Sequence, residues 1–298
     1  MKKTSRKRTA LDILYICMMI LPVVAGIVLK VLTKPLGEGI SIRGAQIYFT
    51  VPMPIQDLVI TESQINSWLV MITIWGVCLF LTNGLATRVA SGRQHLAEWI
   101  VGSVEAMVVD AMGEYFKGFS SFIASILALS AFSSLISLCG LYPPTSDINI
   151  VGGWAILVFI LITYYKFKCG PVSYLKSFAS PVALTPLNVI SEIATPLSMA
   201  FRHYGNVLSG SVISVLIAAG LQGLSSIVLG WLPGFLGEFP LLQIGIPAVL
   251  SIYFDVFSGC LQAYIFAMLT MMYVSGGFPL EEYLAKKEKI KIKKAEVM

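Results

Sequence analysis

The sequence predicts an all-α, polytopic membrane protein with about six membrane helices. Two of these are long, tilted helices packed as a hairpin, and an amphipathic interfacial helix completes the set. Three observations predict this. Hydrophobic residues make up 56% of the 298-residue chain, above the usual ~45–50% even before the 25 glycines are counted. Charged residues make up only 12%, too few to cover the surface of a water-soluble protein of this length. Apolar runs of membrane-crossing length recur along the chain. Together they exclude a soluble enzyme, a secreted disulfide scaffold and a disordered chain.

Six apolar segments stand out, at about 11–33, 64–87, 119–141, 151–168, 187–230 and 241–277. The first four are each about the length of one crossing, ~20 residues for a ~30 Å core. The first follows Lys2, Lys3, Arg6, Lys7 and Arg8. A basic start and an apolar run also fit a cleaved signal, with Val23-Val24-Ala25 as the cleavage site. Between the second and third segments, residues 88–118 alternate Glu98, Glu105, Asp110 and Glu114 with Leu96, Trp99, Ile100, Val104, Met107 and Val108. This spacing suits an amphipathic helix on the membrane interface; a connecting helix packed on the bundle fits equally. The last two segments exceed one crossing. As a helix, 187–230 would run ~66 Å at 1.5 Å per residue. It must therefore be strongly tilted, broken or partly parallel to the membrane, and Pro196 allows a kink. Residues 1–63 form a basic tail, an extra apolar segment and a connecting region; 64–298 form the main membrane domain with a basic tail.

The charges set an orientation. Eleven of 21 Lys and Arg residues crowd the two ends, where they act as topology and lipid-headgroup signals. Basic connections (Arg88, Arg93, Lys117; then Lys166, Lys168, Lys176) alternate with connections 142–150 and 231–240, which carry no Lys or Arg. The positive-inside rule places both termini in the cytoplasm. Lys34 and Arg43 then lie on the expected outside. The net charge of +5 comes from these flanks and does not indicate nucleic acid. The five cysteines show no metal or redox spacing, and the chain has no phosphate-loop or Ser/His/Asp arrangement, so no cofactor, metal or catalytic set is indicated.

From 177 to 285, 109 residues, Arg202 is the sole Lys or Arg. Charges at membrane depth cost about 2.5–3.5 kcal/mol each on insertion scales and mark ion pathways. Glu192, Arg202 and Asp255 are the candidates; Glu238 and Glu281 sit at segment ends. At 100° per residue Asn188, Glu192, Arg202, Asn206 and Ser209 fall near one stripe. Asp255, Gly259 and Gln262, at i, i+4 and i+7, form a second. Gly205, Gly210 and Gly220, with Ser209, Ser211 and Ser214, leave a flat surface that another helix can approach. Two readings stand. Arg202 pairs internally with Asp or Glu to assemble the bundle, or it borders a hydrated ion path. A permanently charged guanidinium cannot carry protons by titration, but it can force a carboxylate to ionise. His203 and His95 are a hydrogen-bond partner or a relay.

These residues resemble the F-type ATP synthase a subunit. Its signature is matched by Pro186–Glu192, Pro196-Leu197-Ser198, Phe201–Asn206 and Ser209-Gly210; further blocks are Gly259–Thr270 and Gly140–Asn149. Ile60–Met71 is similar to its first helix, and Arg93-Gln94 with Glu98 to the start of its interfacial helix. The resemblance runs in order over about 60–277. It implies a non-catalytic stator subunit, multi-pass in the bacterial-type inner (plasma) membrane, facing a c-ring and joined by peripheral stalk b subunits and the rest of the synthase. It also implies two half-channels for H+ or Na+. Arg202 would be the electrostatic barrier between them, Asn206 and Gln262 would position it, and Glu192 with Asn188 would line one half-channel. The family often has a carboxylate where Ser211 stands, so Asp255, seven residues before Gln262, takes the outer-channel acid role and Ser211 completes the lining. His203 replaces the usual Leu. The family's Asn before the 140–149 loop is absent, with Ser137 and Cys139 in that region. Competing readings are a stand-alone transporter whose Arg202 binds an anion, disfavoured by missing inverted repeats, and a structural scaffold.

Overall fold

The computed structural model describes residues 2–33, 44–54, 56–86, 91–170, 174, 185–229, 241–278, 280 and 283–284. Eight α-helices order the described chain: α1 (Lys2–Thr33), α2 (Glu62–Thr82), α3 (Gly92–Met112), α4 (Ser120–Leu135), α5 (Ile148–Cys169), α6 (Thr185–Leu229), α7 (Leu241–Ser251) and α8 (Gly259–Gly276). A π-helical turn, Ile252–Ser258, joins α7 to α8 in one continuous rod. Six stretches among the described residues are long and apolar enough to cross a membrane. They fall on the six segments read from the sequence.

Helix starts are set locally. The Thr61 amide donates to Gln64 Oε1 at 3.3 Å at the start of α2. Ser91 Oγ accepts from the Gln94 amide at 3.3 Å at α3. Asp147 Oδ1 accepts from the Asn149 amide at 3.0 Å at α5. Each side chain serves a backbone group that the first helical turn leaves unpaired. Gly140 (φ 74°) ends the turn after α4, a left-handed conformation that glycine takes without penalty.

The connecting region holds an antiparallel pair, β1 (Ile47–Val51) and β2 (Leu58–Thr61), with Val51 opposite Leu58 and an irregularity between Ile47 and Phe49. The sequence reading expected only a connection there. Lys34, Arg43, Arg88, Lys176, Glu238, Glu281 and the C-terminal basic run, each read from the sequence above, lie outside the described residues.

The extra N-terminal helix is built into the bundle. A Cβ on Gly26 would stand 2.8 Å from Leu69 Cδ1, and one on Gly76 would stand 3.2 Å from the Met18 backbone. Both glycines therefore let α1 and α2 approach closely. At one end of α1, Asp12 receives Arg93 Nη1 and Asn83 Nδ2, each at 2.8 Å. At the other, Lys30 pairs with the buried Glu62 at 3.3 Å.

The main core lies where α3, α4, α5, α6 and α8 meet, around Val108, Ile123, Val158, Met199, Phe266 and Met271. Both readings of 88–118 find a place in α3. Its later part buries Val108 and Met112, while Leu96, Trp99 and Val101 stay exposed.

The long α6 is continuous through Pro196 for 45 residues. It runs as a hairpin with the α7–π–α8 rod. Gly210 takes the Phe254 ring, whose Cδ1 would lie 3.0 Å from an added Cβ. Gly205 and Gly220 face open space. Among the glycines of the flat small-residue surface, Gly210 is the one that a described side chain fills.

Candidate functional site

The eight candidate residues lie on α6 and the rod, and the fold sorts them into three places. Arg202 is exposed, on an exposed apolar face with Phe201 and Leu197. Among the described residues no carboxylate pairs with it. Glu192 is taken by Lys166, and Asp255 lies beside Ser137, whose hydroxyl donates to Ser134 O at 2.6 Å. The reading of an internal Arg–Glu or Arg–Asp pair is therefore replaced by a Lys166–Glu192 pair.

One turn past Arg202, Asn206 Nδ2 donates to Gln262 Oε1 at 3.3 Å, joining α6 to α8. Gln262 is 3% exposed, so this bond satisfies a buried amide that would otherwise be costly. Ser209 and Ser211 are exposed and return their hydroxyls to their own helix, at Asn206 O (3.1 Å) and Leu208 O (2.8 Å). Asn188 is half-buried near the start of α6.

His203, about 100° further round the helix, turns away from Arg202 into the core. It is fully buried, with Nε2 3.2 Å from Ser130 Oγ. The Trp154 and Phe266 rings meet it edge-on at 6.0 and 5.6 Å. Its Nδ1 has no partner.

The stripe expected along α6 thus divides. From Glu192 to Arg202 the helix turns through about 80° net of whole turns. One edge of so wide a stripe faces α5 and the other leaves the bundle. The second stripe stays together. Asp255 faces Ser137, Gly259 lies so close to α4 that an added Cβ would stand 2.5 Å from Ser134 Cβ, and Gln262 meets Asn206. The π turn over 252–258 sets how Asp255 is aimed relative to the α8 residues. Such turns recur at functional sites.

Several residues escaped the sequence reading. Lys166 at the end of α5 donates to both Glu192 oxygens, at 2.6 and 2.8 Å, and the Tyr174 hydroxyl donates to one of them at 3.2 Å. Burial, then the Glu192 charge, pushes the Tyr174 phenol up to about 12, so it stays a donor at physiological pH. A cavity of about 180 Å³ opens beside this pair, lined also by Thr195, Tyr273 and Gly277. Near the Lys30–Glu62 pair, Asn66 Nδ2 donates to Tyr142 O at 2.8 Å, and Ser63 donates to Asp147. The only signal for Lys166 was its charge at a segment end, which reads first as a topology signal.

Residues 64–275 match the family model described as ATP synthase A chain. The chain is 33% identical over 239 residues to the ATP synthase subunit a of Priestia megaterium, covering 74% of this chain and 94% of that one. It is 32% identical over 226 residues to ATP synthase subunit a 1 of Pelobacter propionicus, covering 72% and 86%. It is 27% identical over 239 residues to the subunit a of Legionella pneumophila, covering 79% and 94%.

Proposed function

The chain belongs to the ATP synthase A chain family, and from that premise we propose that it is the ion-translocating stator of a rotary synthase. As an F-type ATP synthase a subunit it is a multi-pass membrane protein and not a catalyst on its own. In this reading it sits in a bacterial plasma membrane, held by peripheral stalk b subunits, and carries H+ or Na+ between two half-channels and a ring of c subunits.

The observation that carries the reading is the placement of Arg202. A guanidinium in a membrane-capable helix is expensive unless something solvates or pairs it. Arg202 has no acid among the described residues, and it faces outward from the bundle. Its counter-charge then comes from outside the chain. A carboxylate on each c subunit passing this face would be held ionised while opposite Arg202. The fixed positive charge would also repel a cation crossing directly from one half-channel to the other. Open Gly205 and Gly220, with exposed Ser209 and Ser211, leave room for a closely packed ring helix on the same hairpin.

The acids divide by position along the hairpin. Glu192, near the start of α6 and beside the end of α5, would line the cytoplasmic half-channel, with Asn188 one turn earlier. Asp255 lies beside the far end of α4, next to Ser137, and would serve the outer half-channel. The Asn206–Gln262 bond fixes the rod against α6 one turn from Arg202 and so sets where the guanidinium stands.

Arg202→Ala in the whole complex is expected to abolish ion-driven ATP synthesis while ATP hydrolysis by the detached catalytic head continues. Asp255→Asn is expected to lower coupled synthesis at least about tenfold, the scale of one lost proton-transfer group. Both are read by synthesis in vesicles under an imposed ion gradient. Native synthesis rates in Arg202→Ala would overturn the reading.

A further inference from the structure

The Lys166–Glu192 contact is more than a surface ion pair. Both carboxylate oxygens accept from the same ammonium, and the two side chains are only 22% and 20% exposed. The route of the lysine is itself confined. Its stem lies across the end of α8, where a Cβ on Gly277 would stand 2.8 Å from Lys166 Cε and 3.0 Å from Cγ. Any side chain at 277 would displace the lysine stem from this path. Tyr174 adds a third hydrogen bond to the carboxylate and lies 5.6 Å from the ammonium by its ring centre. Three helices, α5, α6 and α8, converge here, and the 180 Å³ cavity opens onto the pair. Among the described residues the titratable groups lining that cavity are Lys166, Glu192 and Tyr273, with Tyr174 donating to the carboxylate.

We propose that Lys166 is a positioning residue for Glu192, a latch seated in the clearance left by Gly277 that holds the carboxylate toward α5 and sets how readily that half-channel passes ions. The proposal rests on Glu192 lining the cytoplasmic half-channel. The carboxylate already accepts three hydrogen bonds, so an arriving ion meets an occupied, oriented group and not a freely rotating one. Ion exchange at this point requires the ammonium to slacken its hold on at least one oxygen. The clearance at Gly277 leaves the stem room to return the ammonium to the same place after each passage.

The test uses the intact complex in vesicles, with ATP synthesis measured against cytoplasmic-side pH. Lys166→Met is expected to slow synthesis about 3- to 10-fold. It is also expected to change how synthesis depends on cytoplasmic-side pH, because the group that holds both carboxylate oxygens is gone. Lys166→Arg should restore the profile. Gly277→Ala keeps both charges but displaces the lysine stem, and should move the profile the same way by a smaller amount. In a Glu192→Gln background, Lys166→Met should add nothing. A native profile in both Lys166→Met and Gly277→Ala, with Glu192→Gln impaired, would overturn the latch alone. A native profile in Glu192→Gln would overturn the half-channel role of Glu192 and the latch with it.

Discussion

Arg202 and His203 are neighbours in the chain and opposites in the fold. The guanidinium leaves the bundle, while the imidazole sits among Trp154, Phe266 and Ser130 with no exposed surface. The sequence placed both beside the ion path because both are polar and adjacent. Only the packing separates them, since 100° of helix turn carries consecutive side chains to different neighbours. His203→Leu is accordingly expected to keep coupled synthesis within about twofold of native, since an apolar side chain of similar size suits a buried site. Arg202→Ala is expected to lose synthesis altogether. A loss in His203→Leu comparable to that in Arg202→Ala, with normal assembly, would put the imidazole on the path. The partners of Glu192 were illegible for a related reason. Lys166 lies 26 positions away, and no local pattern announces that α5 ends beside the start of α6.

The helices themselves were nearly all legible, because each is an apolar run cut by charge, proline or glycine. The excess length of 187–230 was legible too, and it is realised as one unbroken helix, Thr185–Leu229. The π turn at 252–258 was not, because its cause lies in how the rod packs on α4 and α6 and not in composition. Gly259 shows that contact most directly. A methyl there would stand 2.5 Å from Ser134 Cβ, backed by a buried helix with little room to yield. Gly259→Ala is expected to destabilise the subunit by about 1–3 kcal/mol, the usual cost of overfilling a packed interface. Thermal inactivation of the solubilised complex reads this out. Ser134→Gly in the same chain should return most of the loss, which a defect elsewhere in α8 would not allow.

Across the whole molecule, α1 lies outside the stretch that matches the family model, yet it is tied at both ends. Asp12 holds Arg93 and Asn83 at one end, and Lys30 covers Glu62 at the other. The sequence left open whether this segment stays with the protein, because a basic start before an apolar run fits both fates. Packing ties the segment to the bundle, since among the described residues Lys30 is the cation that pairs with the buried Glu62. Removal of residues 1–33 is expected to lower the melting temperature of the complex by several degrees, and Glu62→Gln should recover part of that loss. A truncated chain that melts at the native temperature would make α1 dispensable for the bundle.

The burial of His203 has a mechanical consequence for its neighbour. A helix of small residues pressed against a smooth surface can rotate about its own axis at little cost. A side chain seated in an aromatic socket acts as an indexing pin against that rotation. A slip of one residue would swing the guanidinium through about 100°, from the open face toward the core. The socket formed by Trp154, Phe266 and Ser130 thus fixes the angular phase of α6 from within, at the level where the outward charge must be aimed.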